Sequence, residues 1–128
     1  MSYYFRKILD CGFDEANTRT RTELQKEGFG ILSEIDVSAK LKEKIGVDFR
    51  PYRILGACNP PYAYRALQAE PHIGAMLPCN VVIQAIDAGK TEVFAVDPVA
   101  SMQAVNNPGL AQVATEIRTK LQAVIERL

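Results

Sequence analysis

The 128-residue chain carries fifteen basic and fifteen acidic side chains, so its formal net charge is zero, and this balance argues against a protein that binds the phosphate backbone of nucleic acids. Hydrophobic residues make up 48% and charged residues 23% of the sequence, which is typical of a folded domain. The length predicts one domain over residues 1–128, and because no apolar run approaches the roughly 18 residues of a membrane span, we expect a cytoplasmic protein without a membrane anchor.

The chain begins with a predicted strand and a predicted helix. Residues 3–9 are rich in aromatic and β-branched side chains, which is typical of a strand. Residues 14–26 predict a helix with Asp14 as its cap. Its apolar stripe is thin, since only Ala16, Thr20 and Leu24 recur at helical spacing.

A second strand is predicted over residues 30–36. The two-residue period of a strand places Ile31, Ser33 and Ile35 on one face and Leu32 and Glu34 on the other. Glu34 is therefore a carboxylate inside a strand.

The middle of the chain predicts a short helix, a strand and a further helix. Apolar residues recur every four positions over residues 37–45, the spacing of a helix. Residues 52–57 predict a third strand. In the Cys58-Asn59-Pro60-Pro61 segment that follows, an asparagine suited to capping precedes a proline at the first helical position. A third helix is therefore predicted from residue 60 to about residue 70.

The last third of the chain predicts a hairpin and a long helix. Residues 72–78 form an apolar connection that ends in a proline, and a strand is expected to begin near Cys79. Residues 81–87 and 91–96 flank a short alanine-glycine turn and predict a β-hairpin. From Pro108 onward the apolar residues follow the helical period to the end of the chain.

The predicted order is β-α-β-α-β-α-β-β-α. It predicts a single α+β domain with a curved, mainly antiparallel sheet and helices on one face. The other face of the sheet would stay open, and a symmetric dimer is a natural way to cover apolar sheet surface. We therefore expect a homodimer.

Two cysteine-asparagine pairs mark the positions where chemistry is expected. Cys58 is predicted between a strand end and a helix N-terminus, where free amide N–H groups and the helix dipole favour a thiolate. The alternative is that Cys58 is a packing residue, since unpaired cysteine is among the most buried residue types. Cys79 approaches Cys58 if their strands are neighbours. Asn59 and Asn80 have structural alternatives as a helix cap and a strand-edge hydrogen bonder.

Other polar residues are weaker candidates. Glu34 is of interest if it faces a covered cleft, whereas facing solvent it only contributes solubility. His72, the only histidine, is able to supply a base or a metal ligand, and the alternative is an ordinary loop residue. Tyr62 and Tyr64 could line a pocket or pack as half-buried rings. The cysteines follow no CxxC spacing and form no Cys/His cluster, so no metal site is predicted and all three thiols are expected to be reduced.

Three segments together resemble the domain-of-unknown-function family 302. They are residues 28–37 (GFGILSEIDV), 54–60 (ILGACNP) and 74–82 (GAMLPCNVV). The resemblance implies a small bacterial or archaeal dimeric domain with a TATA-binding-protein-like β-α-β4-α fold and inserted short helices. The family has no established activity, so the resemblance implies no catalytic residues. The positions that match its motifs are Glu34, Cys58, Asn59, Pro60, Cys79 and Asn80.

Three functions remain open at this point. The first is the binding of a small molecule or anion near the start of the third helix, where backbone donors converge. The second is a thiol-dependent enzyme or redox sensor that uses Cys58 and Cys79. The third is a structural, dimeric interaction domain. The candidate ligand-binding residues are Glu34, Cys58, Asn59, Cys79 and Asn80.

Overall fold

One antiparallel sheet contains all the strands that occur within residues 2–128, the part of the chain that the computed structural model describes. Besides its α-helices, the chain contains two 3-10 helices within these residues, Pro71–Met76 and Pro108–Leu110. The strands and α-helices are β1 (Tyr4–Leu9), α1 (Phe13–Lys26), β2 (Gly30–Asp36), α2 (Val37–Ile45), β3 (Tyr52–Cys58), α3 (Pro60–Ala69), β4 (Cys79–Asp87), β5 (Lys90–Val96), α4 (Pro98–Ser101) and α5 (Ala111–Arg127).

The strands lie in the order β1-β5-β4-β3-β2, and each neighbouring pair is antiparallel. The helix α1 packs on β4 and β5, and α5 packs on β1 and β5. The sheet is open at both edges. The predicted α+β fold with an antiparallel sheet is confirmed.

The hydrophobic core lies between the sheet and the helices α1 and α5. Cross-strand partners share a face, and the row Leu55, Val81 and Ala95 is completely buried. Ile83 and Val93 form a second buried row. The thin stripe predicted for α1 is confirmed as well, because its three members are each 0% exposed.

Two local predictions differ from the structure. The helix α1 begins at Phe13 with Gly12 in the capping position and no side-chain cap, so Asp14 does not cap it. The connection predicted over residues 72–78 is mostly the 3-10 helix, which begins with Pro71 and is capped by the Glu70 side chain, an acceptor from the N–H of His72. Its Ile73 is fully buried in the core.

The face assignment predicted for β2 is wrong because the strand contains a bulge. Ile31 lies opposite Ala57, but Ser33 lies opposite Gly56, so one extra residue interrupts the pairing. Ser33 and Ile35 consequently face away from the helices while Ile31 faces towards them.

No helix within residues 2–128 combines the length and apolarity that crossing a bilayer requires.

Candidate functional site

A cavity of about 260 Å³ lies beside the ends of β3 and β4, against α3 and α5. All of its lining residues are uncharged, and most are apolar. They are Phe29, Leu32, Ala57, Cys58, Asn59, Tyr62, Ala63, Ala66, Leu67, Leu77, Pro78, Cys79, Met102, Val113 and Ile117.

The pairing of β3 with β4 brings three of the predicted site residues to this cavity. Ala57 lies directly opposite Cys79, so Cys58 and Cys79 belong to neighbouring strands. Both cysteines and Asn59 line the cavity, and neither thiol is in a disulfide. The approach of Cys79 to Cys58 requires that their strands are neighbours, and β3 and β4 are neighbours.

The thiols of the cavity favour their protonated forms. Burial raises the pKa of Cys58 above its ordinary value. Burial, and secondarily the nearby Cys58, raises the pKa of Cys79 to about 11. The cause is desolvation, which penalises the charged form of a thiol. The expectation of a favoured thiolate at Cys58 is therefore wrong.

The start of α3 explains why the helix does not offset this desolvation. Pro60 and Pro61 occupy its first two positions, and proline has no amide N–H. Two of the four N–H groups that a helix N-terminus leaves free are thus absent. The N–H of Ala63 already donates to the carbonyl oxygen of Asn59 at 2.9 Å.

Asn59 stands in the capping position of α3 but does not cap it. Its backbone is extended, and its side chain accepts no hydrogen bond from the helix. The Nδ2 group instead donates to the carbonyl oxygen of Glu27 at 3.0 Å. Asn59 therefore joins the start of α3 to the end of α1, and the predicted cap is corrected to a long-range tie.

Glu34 lies outside the cavity in an ion-pair cluster. Its Oε1 is 2.7 Å from Nη2 of Arg21 on α1. Nε of Arg53 lies 3.3 Å from the same oxygen, without the angle of a hydrogen bond. Glu34 thus fastens the edge strand β2 to α1, and its place in the predicted site is not supported by the geometry.

The remaining polar candidates also lie away from the cavity. Asn80 is exposed and is not among the lining residues, because it alternates to the face opposite Cys79. The side chain of His72 is 95% exposed and contacts Glu70 through Nδ1 at 3.1 Å. Tyr62 lines the cavity, whereas its neighbour Tyr64 is exposed.

Sequence reasoning missed the alanine face of α3. Ala63 and Ala66 line the cavity, and their small side chains leave its volume unfilled. The i, i+4 spacing of Tyr62 with Ala66 and of Ala63 with Leu67 puts all four on one side of the helix. A signal was present, since the side of α3 that carries these alanines is recognisable from this spacing.

The role of Asn59 can be tested with Asn59→Asp. A capping side chain tolerates this change, because aspartate and asparagine cap equally well. A carboxylate cannot donate to the carbonyl of Glu27, so we expect a loss of about 1 kcal/mol in the free energy of unfolding, measured by urea denaturation at pH 7. An Asn59→Asp variant as stable as the wild type would contradict the tie.

The burial of Cys79 predicts a dependence of stability on pH. A thiol whose pKa is higher in the folded state stabilises the fold below pH 9, and this contribution is lost as the pH rises towards 11. Between pH 8 and pH 10 the wild type should lose about 1 kcal/mol more unfolding free energy than Cys79→Val. Parallel pH profiles of the two proteins would contradict the burial of a protonated thiol.

Comparison with known proteins places the chain in a family. The family model described as "Domain of unknown function DUF302" matches residues 5–128. No curated protein matches the chain. Among solved structures it is similar to the crystal structure of an uncharacterized conserved protein DUF302 from Bacillus stearothermophilus, with 33% identity, a TM-score of 0.90, and coverage of 99% of this chain and 98% of that chain. The resemblance of the three sequence segments is confirmed, and the chain belongs to the DUF302 family.

Proposed function

We propose that the chain is a small-molecule-binding module whose site is the cavity beside β3 and α3. The observation that carries this proposal is the cavity of about 260 Å³ where Cys58, Asn59 and Cys79 meet. Protein interiors are close-packed, and unfilled apolar volume is destabilising. The cavity is open to solvent on one side, and its almost wholly apolar lining, rather than its volume, distinguishes it from the other clefts of the chain. A ligand that covers this apolar surface best explains it.

The entrance supports the same proposal. Leu32 and Leu67 line the cavity and are 69% and 44% exposed. Apolar surface therefore continues from the interior to the solvent, and a ligand has a path that requires no charged group to move. Asn59 and the two thiols are the polar groups nearest to the β3 end of the site.

A thermal-shift screen tests this proposal by measuring the Tm of the chain in the presence of small neutral, anionic and cationic fragments. Fragments that bind should raise the Tm of the wild type, by an amount that grows with ligand concentration. They should lose this effect in Ala66→Leu, where three added carbon atoms occupy the cavity. The matched control is Ala69→Leu, at an exposed position of the same helix that does not line the cavity. Ala63→Leu serves as a second cavity-filling variant.

Two results would contradict the proposal. The first is the absence of any fragment that raises the Tm of the wild type. The second is a set of hits that raise the Tm of both cavity-filling variants as much as that of the wild type.

A thiol-dependent function has weaker support. Burial raises the pKa of both cavity thiols, so the nucleophilic thiolate is scarce near neutral pH. The chain's three cysteines are unpaired.

We also propose a cytoplasmic location. The unpaired cysteines support it, because reduced thiols suit a reducing compartment.

We propose in addition that the open face of the sheet binds a second copy of the chain. On this face Ile35, Ile54, Val82 and Phe94 form an apolar row across four strands, which ends at Arg6 on β1. Val82 at its centre is 6% exposed. Ile35 is 46% exposed, and in the next row the edge residue Ile8 is 44% exposed. A two-fold axis would place each row against its own copy, which is how a self-complementary interface forms.

Sedimentation equilibrium tests this proposal. The wild type should have twice the monomer mass of 14.2 kDa, and Ile35→Glu should shift it to the monomer, because the carboxylate would be buried without a partner. Thr119→Glu, on an exposed position of α5, is the control that should leave the dimer intact. A monomeric wild type, or a dimer that Ile35→Glu does not weaken, would contradict this use of the sheet face.

A further inference from the structure

We infer that the cavity beside β3 and α3 takes an uncharged, aromatic molecule of about ten non-hydrogen atoms. This inference rests on the proposed function and narrows it, because the sequence left an anion as an equal alternative. Three observations support it: the uncharged walls of the cavity, the two prolines at the start of α3, and the existing ion-pair partners of the cations beside Tyr62.

The walls offer no charge to a ligand. None of the described lining residues is acidic or basic. Asn59 is the one amide side chain among them, and its Nδ2 is already bonded to the carbonyl oxygen of Glu27. A charged ligand group placed here would lose its hydration without a compensating partner, which is strongly unfavourable.

The helix N-terminus does not supply an anion site either. Such sites depend on several free N–H groups at the first turn, and Pro60 and Pro61 remove two of them. The cavity thiols do not supply a negative charge to attract a cation, because burial raises the pKa of Cys58 and of Cys79. Anionic ligands and cationic ligands are therefore both disfavoured in the cavity.

The cations beside the ring of Tyr62, a residue that lines the cavity, already have partners. Two cations lie near the ring of Tyr62, with Arg65 Cζ at 5.4 Å and Lys120 Nζ at 5.8 Å from its centroid. Arg65 pairs with Glu116 at 3.2 Å, and Lys120 lies 3.9 Å from a carboxylate oxygen of Glu27. Recruiting either cation to a bound anion would break one of these pairs.

The volume of the cavity and the sulfur atoms of its lining residues indicate an aromatic ligand. A dry apolar cavity of about 150 Å³ accommodates benzene, so about 260 Å³ accommodates a ligand somewhat larger. Three sulfur-bearing residues, Cys58, Cys79 and Met102, line this one cavity together with Tyr62. Sulfur makes favourable contacts with the edges of aromatic rings, and tyrosine with their faces.

The experiment compares matched ligands by NMR titration of the ¹⁵N-labelled full chain. Benzyl alcohol, benzoate and benzylammonium have similar shapes and differ in charge, and indole is a larger neutral probe. We expect benzyl alcohol and indole to shift the amide signals of Ala63 and Ala66 in a saturable manner. Benzoate and benzylammonium should bind at least tenfold more weakly, because neither charge has a partner in the cavity. Ala66→Leu should abolish these shifts and Ala69→Leu should retain them.

The outcomes separate this inference from the proposed function. Binding of benzoate or benzylammonium as tight as that of benzyl alcohol, and lost in Ala66→Leu, would overturn the uncharged ligand and leave a small-molecule site standing. If no probe shifts the cavity amides, or if the shifts persist in Ala66→Leu, both the inference and the proposed site are overturned.

Discussion

The antiparallel pairing of β3 with β4 is the constraint on which the candidate site depends. It sets Ala57 opposite Cys79 and so brings together two segments separated by twenty residues of helix and loop. Gly56 is required in this pairing. A Cβ at Gly56 would meet Ser33 Oγ and would lie 2.7 Å from Pro78 Cγ, too close for any side chain. The proline that leads into β4 can therefore lie against β3 only because this position is glycine.

The tie between Asn59 and Glu27 complements the strand pairing. The pairing positions β3 and β4, whereas the Asn59 side chain positions the start of α3 relative to the end of α1. The intervening glycine is part of this contact, since a Cβ at Gly28 would lie 3.3 Å from Asn59 Nδ2 and its φ of +86° is one that L residues rarely adopt. Two glycines outside the cavity lining, Gly28 and Gly56, and one lining residue, Asn59, thus fix where the cavity lies.

Much of the fold follows from local sequence patterns. Strand and helix periodicity predicts β2 and α2 with their observed bounds, and β1, α1 and α3 to within one residue at each end. The short helix α4 was missed, because Asp97-Pro98 predicts the end of a strand equally well. Asp97 in fact starts α4, where its side chain accepts a hydrogen bond from the N–H of Val99 at 3.0 Å.

The site was less predictable than the fold. The sequence identifies Cys58, Asn59 and Cys79, but a local pattern does not say which strands pair, so their meeting remained conditional. The thiolate and the asparagine cap failed for a related reason. Both were inferred from a helix start considered alone, whereas burial by the surrounding elements determines the protonation of Cys58, and a carbonyl thirty-two residues away determines the role of Asn59.

The bulge at Leu32 reverses the faces of the sheet on which the following residues of β2 lie. Ile31 and Glu34 both face the helices although they are three positions apart, because the residue that bulges between them is skipped in the pairing. In a regular strand Glu34 would point away from Arg21, and Ile35 would turn inward. A single inserted residue thus gives one edge strand three uses: an apolar rim for the cavity, a carboxylate for α1 and an isoleucine for the open face. A one-residue deletion at this point would exchange the inner and outer surfaces of half the strand.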